Sequence, residues 1–100
     1  MLVMVSYTFK GGSSGRAAYD RFAHWKSSAG FELKGGWTAA SNAGGFLLVE
    51  AANEGVLLEF FAQFKDLNKE IQITPVVELN EAVTIVQKAY KWVDSVSKPG

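Results

Sequence analysis

The distribution of apolar residues along the chain predicts four strands and three helices. Strands are indicated where β-branched and aromatic residues cluster or alternate with polar ones, and helices where apolar residues recur every three or four positions. Stretches rich in glycine and serine separate several of these segments. The predicted elements, in chain order, are a strand at 2–9, a helix at 16–28, strands at 31–40 and 46–51, a helix at 54–67, a strand at 70–79 and a helix at 80–97.

Individual residues mark where several of these elements begin, bend or end. Asn53 and Asn80 precede helical patterns and are predicted N-caps. The pair Gly35-Gly36 inside the second strand predicts a β-bulge. Pro75 cannot donate to a ladder and therefore predicts an edge strand, while Lys98-Pro99-Gly100 is expected to end the last helix.

The order of the elements predicts an α+β fold. Strand, helix, strand, strand, helix, strand is the split βαβ or ferredoxin-like arrangement, in which one antiparallel sheet carries helices on one face. The third helix is an addition to this core. We expect a single domain over 1–100, made of the βαββαβ core at 1–79 and the C-terminal helix at 80–97.

The parity of the strand residues predicts two unlike sheet faces. If Ala40 pairs with Phe46 across the hairpin, even-numbered residues share one face and odd-numbered residues the other. The odd face is almost wholly apolar, includes Trp37, and should lie under the first two helices, with Trp25 in the same core layer. The even face is mixed, and its apolar members are Leu2, Met4, Phe46, Leu48 and Val76.

An apolar patch of this kind on a soluble protein usually marks an interaction surface. Because the helices occupy the other side of the sheet, we expect the even face to meet a second copy of the chain across a two-fold axis. The length supports this expectation, since a chain of 100 residues buries only about 60 to 65% of its unfolded surface and builds a thin core. The sequence therefore predicts a homodimer through the sheet face.

Charge and composition exclude several classes of function. Ten Lys plus Arg balance ten Asp plus Glu, so the chain lacks the positive field that draws proteins to nucleic acid or anionic lipid. Zero cysteines and a single histidine leave no common metal or thiolate site, and no metal or cofactor is expected. No segment resembles a signal peptide or a membrane span, so neither membrane nor nucleic acid is an expected partner, and the cytoplasm is the default compartment.

Four segments of the chain carry a resemblance to known proteins, namely VMVSYTFK, RFAHWK, GFELKGGWTA and GGFLLVEA. The order of elements and these segments resemble a family of short uncharacterised proteins, a domain of unknown function, in the dimeric α/β-barrel superfamily. The resemblance extends over roughly residues 1–90 and implies a ferredoxin-like protomer whose sheet packs on a partner's sheet, often enclosing a cavity. It selects no activity.

Glu50 is the strongest candidate for acid or base chemistry. It is expected on the even face near Lys34 and Thr38, where partly apolar surroundings raise the pKa of a carboxyl group. The simpler interpretation is a cross-strand pair of Glu50 with Lys34, or an ion pair between subunits, that sets the register of the strands. No triad or dyad accompanies it.

Two further features have simpler structural interpretations. His24 follows Asp20 by one helical turn, which favours a surface pair over metal or haem ligation. The loop from Gly11 to Arg16 between a strand and a helix has backbone amides and hydroxyls suited to an anion, but it lacks the spacing of a P-loop or a dinucleotide fingerprint. The favoured interpretation is a flexible turn that caps the following helix. Trp92 is predicted at a cavity entrance or in the dimer contact.

The leading functional hypothesis is a barrel module that holds a small, mostly apolar organic molecule between its sheet and its partner. The competing hypothesis is a non-enzymatic interaction protein with a filled dimer interface, and a cofactor-free oxygenase or isomerase is the third. Whether the protein is an enzyme stays open. The residues predicted to line the ligand site are Met4, Ser6, Thr8, Phe46, Leu48, Glu50 and Thr74.

Overall fold

Four strands and three α-helices follow one another along residues 1–97, which the computed structural model describes. The predicted end of the last helix at Lys98-Pro99-Gly100 lies outside the described residues. The elements are β1 (Leu2–Phe9), α1 (Ser14–Ala23), β2 (Phe31–Thr38), β3 (Gly44–Ala51), α2 (Glu54–Ala62), a 3₁₀ turn (Lys65–Leu67), β4 (Asn68–Pro75) and α3 (Leu79–Ser97).

The strands form one antiparallel open sheet in the order β2-β3-β1-β4. β1 lies between β3 and β4, and β4 occupies an edge, which is where Pro75 was predicted to place it. The α+β class is confirmed, and the strand order is compatible with the ferredoxin-like arrangement.

The hydrophobic core lies on the odd face of the sheet, as predicted. Val3, Val5 and Val49 from the two central strands are fully buried. Helix α2 covers them because Leu57 and Phe60, one turn apart, face the sheet. Burial of each such apolar side chain contributes about 1.5–3 kcal/mol relative to an exposed one. The buried cluster is Val3, Val5, Phe31, Val49, Ala51, Leu57, Phe60 and Phe64.

A β-bulge in β2 reverses which residues face the core. The register shifts between Leu33 and Gly35, where the bulge was predicted. Beyond it, Trp37 lies opposite Phe46, so the two share the even face, and the predicted pairing of Ala40 with Phe46 is wrong. The predicted place of Trp37 in the core is wrong for the same reason, and its side chain is 56% exposed.

β3 begins at Gly44, two residues earlier than predicted. Backbone from both neighbouring strands approaches so closely here that a Cβ on Gly44 would overlap Tyr7 O, and one on Gly45 would overlap Trp37 O. Only glycine fits such close backbone approach in the middle of a sheet. The two glycines therefore belong to the strand, and the loop lies at 39–43, two residues earlier than predicted, because β2 ends at Thr38.

Helix α1 occupies Ser14–Ala23 instead of the predicted 16–28. The helix ends at His24, and Trp25 N donates only to Phe22 O, in a tighter final turn. Ser27 Oγ donates to Phe31 O at 2.6 Å, which ties the following segment to the start of β2. Such side-chain bonds compete with continued helix.

Helix α2 is shorter than predicted, and the residues after it form the 3₁₀ turn. Its predicted N-cap is confirmed, because Asn53 Oδ1 accepts a hydrogen bond from Val56 N at 3.1 Å. β4 then begins at Asn68 and ends at Pro75, two residues before its predicted start and four before its predicted end.

Helix α3 projects away from the rest of the molecule. Its first turn is capped by Glu78, whose Oε2 accepts from Glu81 N at 3.1 Å, so the predicted cap at Asn80 is wrong. None of its residues is buried. The longest dimension is 64 Å and the radius of gyration 18.3 Å, against about 13 Å for a globular chain of this length. Within residues 1–97, no helix combines the length and hydrophobicity that crossing a membrane requires.

Candidate functional site

A cavity of about 380 Å³ lies between the odd face of the sheet and the helices. This volume falls in the usual range of small-molecule sites, about 300–1,000 Å³. The lining residues come from every strand and from α1, α2 and the segment that joins α2 to β4. They are Tyr7, Phe9, Ala18, Tyr19, Phe22, Leu33, Gly36, Trp37, Thr38, Leu47, Phe60, Phe61, Phe64, Asn68 and Ile71. Trp37 borders the cavity on the edge strand β2, although the register places its side chain on the even face.

The cavity has a buried floor and an exposed end. Phe60 and Phe64 are 6% and 7% exposed and belong to the core, so they form the floor. Tyr19 and Phe22 on α1 are more than a third exposed, and Thr38 at the end of β2 is exposed as well. The opening therefore lies between α1 and the C-terminal end of β2.

Aromatic packing fixes the shape of the floor. The ring of Phe60 lies 4.6 Å from that of Phe31 and 5.1 Å from those of Trp25 and Phe64, centroid to centroid. Phe22 stacks on Trp25 at 5.3 Å with nearly parallel planes. Each such pair contributes about 0.5–1.5 kcal/mol beyond the area that it buries. The walls are therefore held in place before any ligand arrives.

Hydroxyl groups supply the polar part of the lining. Tyr19 Oη and Thr38 Oγ1 are 2.8 Å apart, and either hydroxyl can donate, so this bond joins α1 to β2 at the opening. Burial, with a smaller contribution from neighbouring Tyr19, raises the pKa of the Tyr7 phenol above its ordinary value. Tyr7 therefore stays protonated at neutral pH and can donate a hydrogen bond.

Asn68 adds an amide to the lining where the 3₁₀ turn meets β4. Its Nδ2 donates to Phe64 O at 2.9 Å, a bond that fixes the amide orientation because a carbonyl oxygen cannot donate. The opposite atom, Oδ1, is buried and has no hydrogen-bond partner within residues 1–97. An acceptor of this kind can be satisfied by a donor that reaches it.

Among the residues that the structure describes, no charged side chain lines this cavity. An ion placed here would lose its hydration without gaining a counter-ion, which costs several kcal/mol or more. The lining therefore suits a neutral, largely apolar molecule that carries one or two polar groups. Within the described part of the chain, no group of three or more His, Asp or Glu side chains is arranged to hold a metal ion.

An ion pair beside the cavity holds α1 against the 3₁₀ turn. Arg21 Nη1 lies 2.7 Å from Asp66 Oδ1 and 2.6 Å from Gln63 O, and Nη2 lies 3.1 Å from Asp66 Oδ2. The hydrogen bond from Arg21 holds the pKa of the Asp66 carboxyl below its ordinary value. The guanidinium also lies over the ring of Phe64, 6.0 Å from its centroid.

The residues predicted to line a ligand site lie on the opposite face of the sheet and do not line this cavity. The register places Leu48 and Thr74 on either side of Met4, and Phe46 beside Ser6. These neighbours form two adjacent rows of the even face. Thr8, one row further, lies opposite Gly44.

Glu50 makes contacts that differ from the predicted pair. Its Oε1 lies 2.8 Å from the N-terminal ammonium of Met1, whereas Lys34 pairs with Glu32 at 3.3 Å. The predicted pair of Glu50 with Lys34 is therefore wrong. Glu50 contributes to a shallow depression of about 390 Å³ that also includes Met1 and Glu32.

His24 and the glycine loop are held by local contacts. His24 Nδ1 lies 2.9 Å from the backbone oxygen of Asp20 and does not bond its carboxylate. Ser14 Oγ donates to Gly11 O at 2.9 Å, which closes the turn before α1. Neither group lines the cavity.

Reasoning from the sequence missed the cavity on the helix side. The signal was an excess of large aromatic residues on the odd face, where Tyr7 and Phe9 follow one another on β1. Their rings lie 5.6 Å apart, and Phe9 lies 5.6 Å from Tyr19. A thin core needs few residues of this size, so a surplus at one end of the sheet indicates that helix and sheet are held apart.

A comparison with protein-family models finds a match over residues 1–90 to DUF3303, a domain of unknown function. The chain belongs to the DUF3303 family. The match includes the whole sheet and every residue that lines the cavity, and it ends inside α3. The comparisons with curated proteins and with solved structures find no match. The cavity is thus a feature of the DUF3303 region itself.

Proposed function

We propose that this DUF3303 protein is a homodimer that binds a small, neutral, mostly apolar organic molecule in the cavity between its helices and the odd face of its sheet. The observation that carries the proposal is the composition of the cavity. Its floor is aromatic, its lining has no charged side chain, and its polar groups include the hydroxyls of Tyr7, Tyr19 and Thr38. Such a site selects by shape and by one or two hydrogen bonds.

Dimerisation is supported by the even face of the sheet. Met4 is 38% exposed and Phe46 47% exposed, and Trp37 extends the same apolar surface through the bulge. The sequence resemblance to dimeric α/β barrels also supports a dimer. The predicted ligand residues of this face, from Met4 to Thr74, belong in this proposal to the surface that meets the second copy.

The neutral fluorophore N-phenyl-1-naphthylamine tests ligand binding and its location. We expect its emission to rise on addition of the native protein. Leu33→Trp adds a large ring to the cavity wall and should weaken binding at least tenfold. Leu48→Trp, on the even face of the adjacent strand, is the matched control and should leave binding unchanged.

Circular dichroism must first show that both variants are folded, so that a loss of binding reports on the site. Loss of binding in Leu48→Trp alone would place the ligand between the sheet and the partner and contradict the helix-side site. No rise in emission with the native protein would contradict the binding of apolar molecules altogether.

A protein-interaction module is the second candidate function, and helix α3 is the observation that favours it. Its large apolar side chains, among them Tyr90 and Trp92, are exposed by 40–74%. An apolar surface of this extent is typical of a contact with another protein. The two functions are compatible, because the cavity and α3 are separate parts of the chain.

A further inference from the structure

Helix α3 is amphipathic, with one apolar and one polar side. At about 100° per residue, its apolar side chains fall in one continuous arc of roughly 180°, and the polar side chains from Asn80 to Ser95 fall in the other half. The apolar arc consists of Leu79, Ala82, Val83, Ile85, Val86, Ala89, Tyr90, Trp92, Val93 and Val96.

This arc receives no support from the core of its own chain. No residue of α3 is buried, and only Ala82 is even half-buried. A helix of 19 residues without tertiary contacts is marginal in water, because nucleation is costly and packing normally supplies the stability. The 64 Å length of the molecule shows that helix α3 extends beyond the sheet. Its helical state therefore requires a surface outside the protomer.

The arc is too wide for a simple pair of helices. A two-stranded coiled coil buries a narrow seam and carries charged residues beside it. In α3 the apolar arc extends past the width of such a seam in both directions. It reaches Val83 and Tyr90 on one side and Ile85 and Trp92 on the other. A broad, flat apolar surface fits this arc better than a second helix does.

The even face of the sheet is a surface with matching dimensions. A helix of 19 residues is about 28 Å long, and a strand of eight residues about 26 Å. Met4, Trp37 and Phe46 are exposed there by 38–56%. The apolar area exposed on α3 is roughly the 800 Å² that one partner contributes to a standard interface.

We infer that α3 is an exchanged arm that lies across the even sheet face of a second copy of the chain. The contact is reciprocal, so two-fold symmetry covers both arms and both sheets and leaves no open surface to extend a filament. A formal net charge of zero means that the two copies do not repel one another. The inference rests on the proposed homodimer and specifies which surfaces form it.

Disulfide cross-linking tests the contact directly, because the chain contains no cysteine. Val86→Cys protein labelled with ¹⁵N is mixed with unlabelled Phe46→Cys protein, allowed to exchange subunits, oxidised with copper phenanthroline and analysed by mass spectrometry. We expect a covalent heterodimer between the two variants. Lys88→Cys, on the polar arc of the same helix, is the matched control and should not cross-link to Phe46→Cys.

Other cross-linking results would contradict the exchanged arm without contradicting the homodimer. Cross-links only between two Phe46→Cys chains would show sheet-to-sheet packing and overturn the arm while retaining the dimer. Cross-links only between two Val86→Cys chains would show a contact between helices and also overturn it. A native protein that is monomeric at micromolar concentration would overturn both proposals.

Discussion

Helices α2 and α3 each carry an apolar stripe and a capped first turn, yet their surroundings are opposite. α2 buries Leu57 and Phe60 under the sheet, whereas α3 leaves Leu79 74% exposed and Trp92 66% exposed. The difference arises from chain connection. α2 joins β3 to β4 and must return to the sheet, while α3 follows the last strand and has no such constraint. An apolar stripe shows that a helix needs a partner, and the connection decides whether that partner is its own sheet.

The largest effect expected from this comparison concerns two aromatic residues. Phe60→Ala should lower the free energy of unfolding by about 3–5 kcal/mol, because the ring is 6% exposed and packs on four other aromatic rings. Tyr90→Ala, at a position 63% exposed, should change it by less than about 0.5 kcal/mol in dilute monomer. Urea unfolding measures both. Equal losses would contradict the difference between the helices.

Removing the N-cap of α2 should lower the stability of the fold more than removing the N-cap of α3. Asn53→Ala removes the acceptor for Val56 N and should lower the free energy of unfolding by about 1 kcal/mol, measured in urea. Glu78→Ala removes the equivalent acceptor for Glu81 N. Because α3 lies outside the core of its own chain, the helical signal of the dimer in circular dichroism should fall while the urea midpoint of the dilute monomer stays unchanged. A shifted midpoint in Glu78→Ala would show that α3 is part of the folding unit.

The cap of α3 also makes the helix sensitive to acid. Hydrogen bonds from the backbone of Asn80 and Glu81 hold the pKa of Glu78 below its ordinary value of 4.5. Because the pKa is lowered in the folded state, the ionised carboxylate of Glu78 stabilises the helix fully at pH values above the ordinary pKa. This contribution to stability is lost as the pH falls through the lowered pKa. NMR titration of the Glu78 carboxyl should show the low pKa, with the Asn80 and Glu81 amide shifts following it. Titration at the ordinary value would exclude the cap.

The smallest effect concerns the ion pair beside the cavity. In Arg21→Gln the pKa of Asp66 should rise toward its ordinary value, because the hydrogen bond from Arg21 is the main cause of its depression. Lys10→Gln is the matched control and should raise it less, since Lys10 makes the weakest contribution. NMR titration of the Asp66 carboxyl measures both. A larger shift in Lys10→Gln would contradict the pairing of α1 with the 3₁₀ turn.

The order of elements and the apolar odd face were predictable because they depend on local periodicity. The alternation around Val3, Val5 and Val49 identifies a buried face, and Asn53 identifies the start of α2. The bulge at Gly35 was predictable as well. The face on which Trp37 lies does not follow from simple alternation, because a single inserted residue reverses parity for the rest of the strand.

The candidate cavity was harder to predict because it depends on spacing between layers. Periodicity indicates which side of α1 faces the sheet, but not that a cavity lined by Tyr19 and Phe22 separates the helix from it. The partner of Glu50 depends on where the chain terminus lies, since the N-terminal ammonium of Met1 reaches it after β1 pairs with β3. Such long-range geometry leaves no local pattern in the sequence.

The mass of the native assembly in solution tests the central claim most directly, namely that the even sheet face and α3 are covered by a second copy. Native mass spectrometry at micromolar concentration should find twice the mass of one chain. It should find a single chain when Val86→Asp places a charge in the apolar arc, but not when Lys88→Asp places one on the polar arc. A native protein with the mass of one chain would contradict the claim.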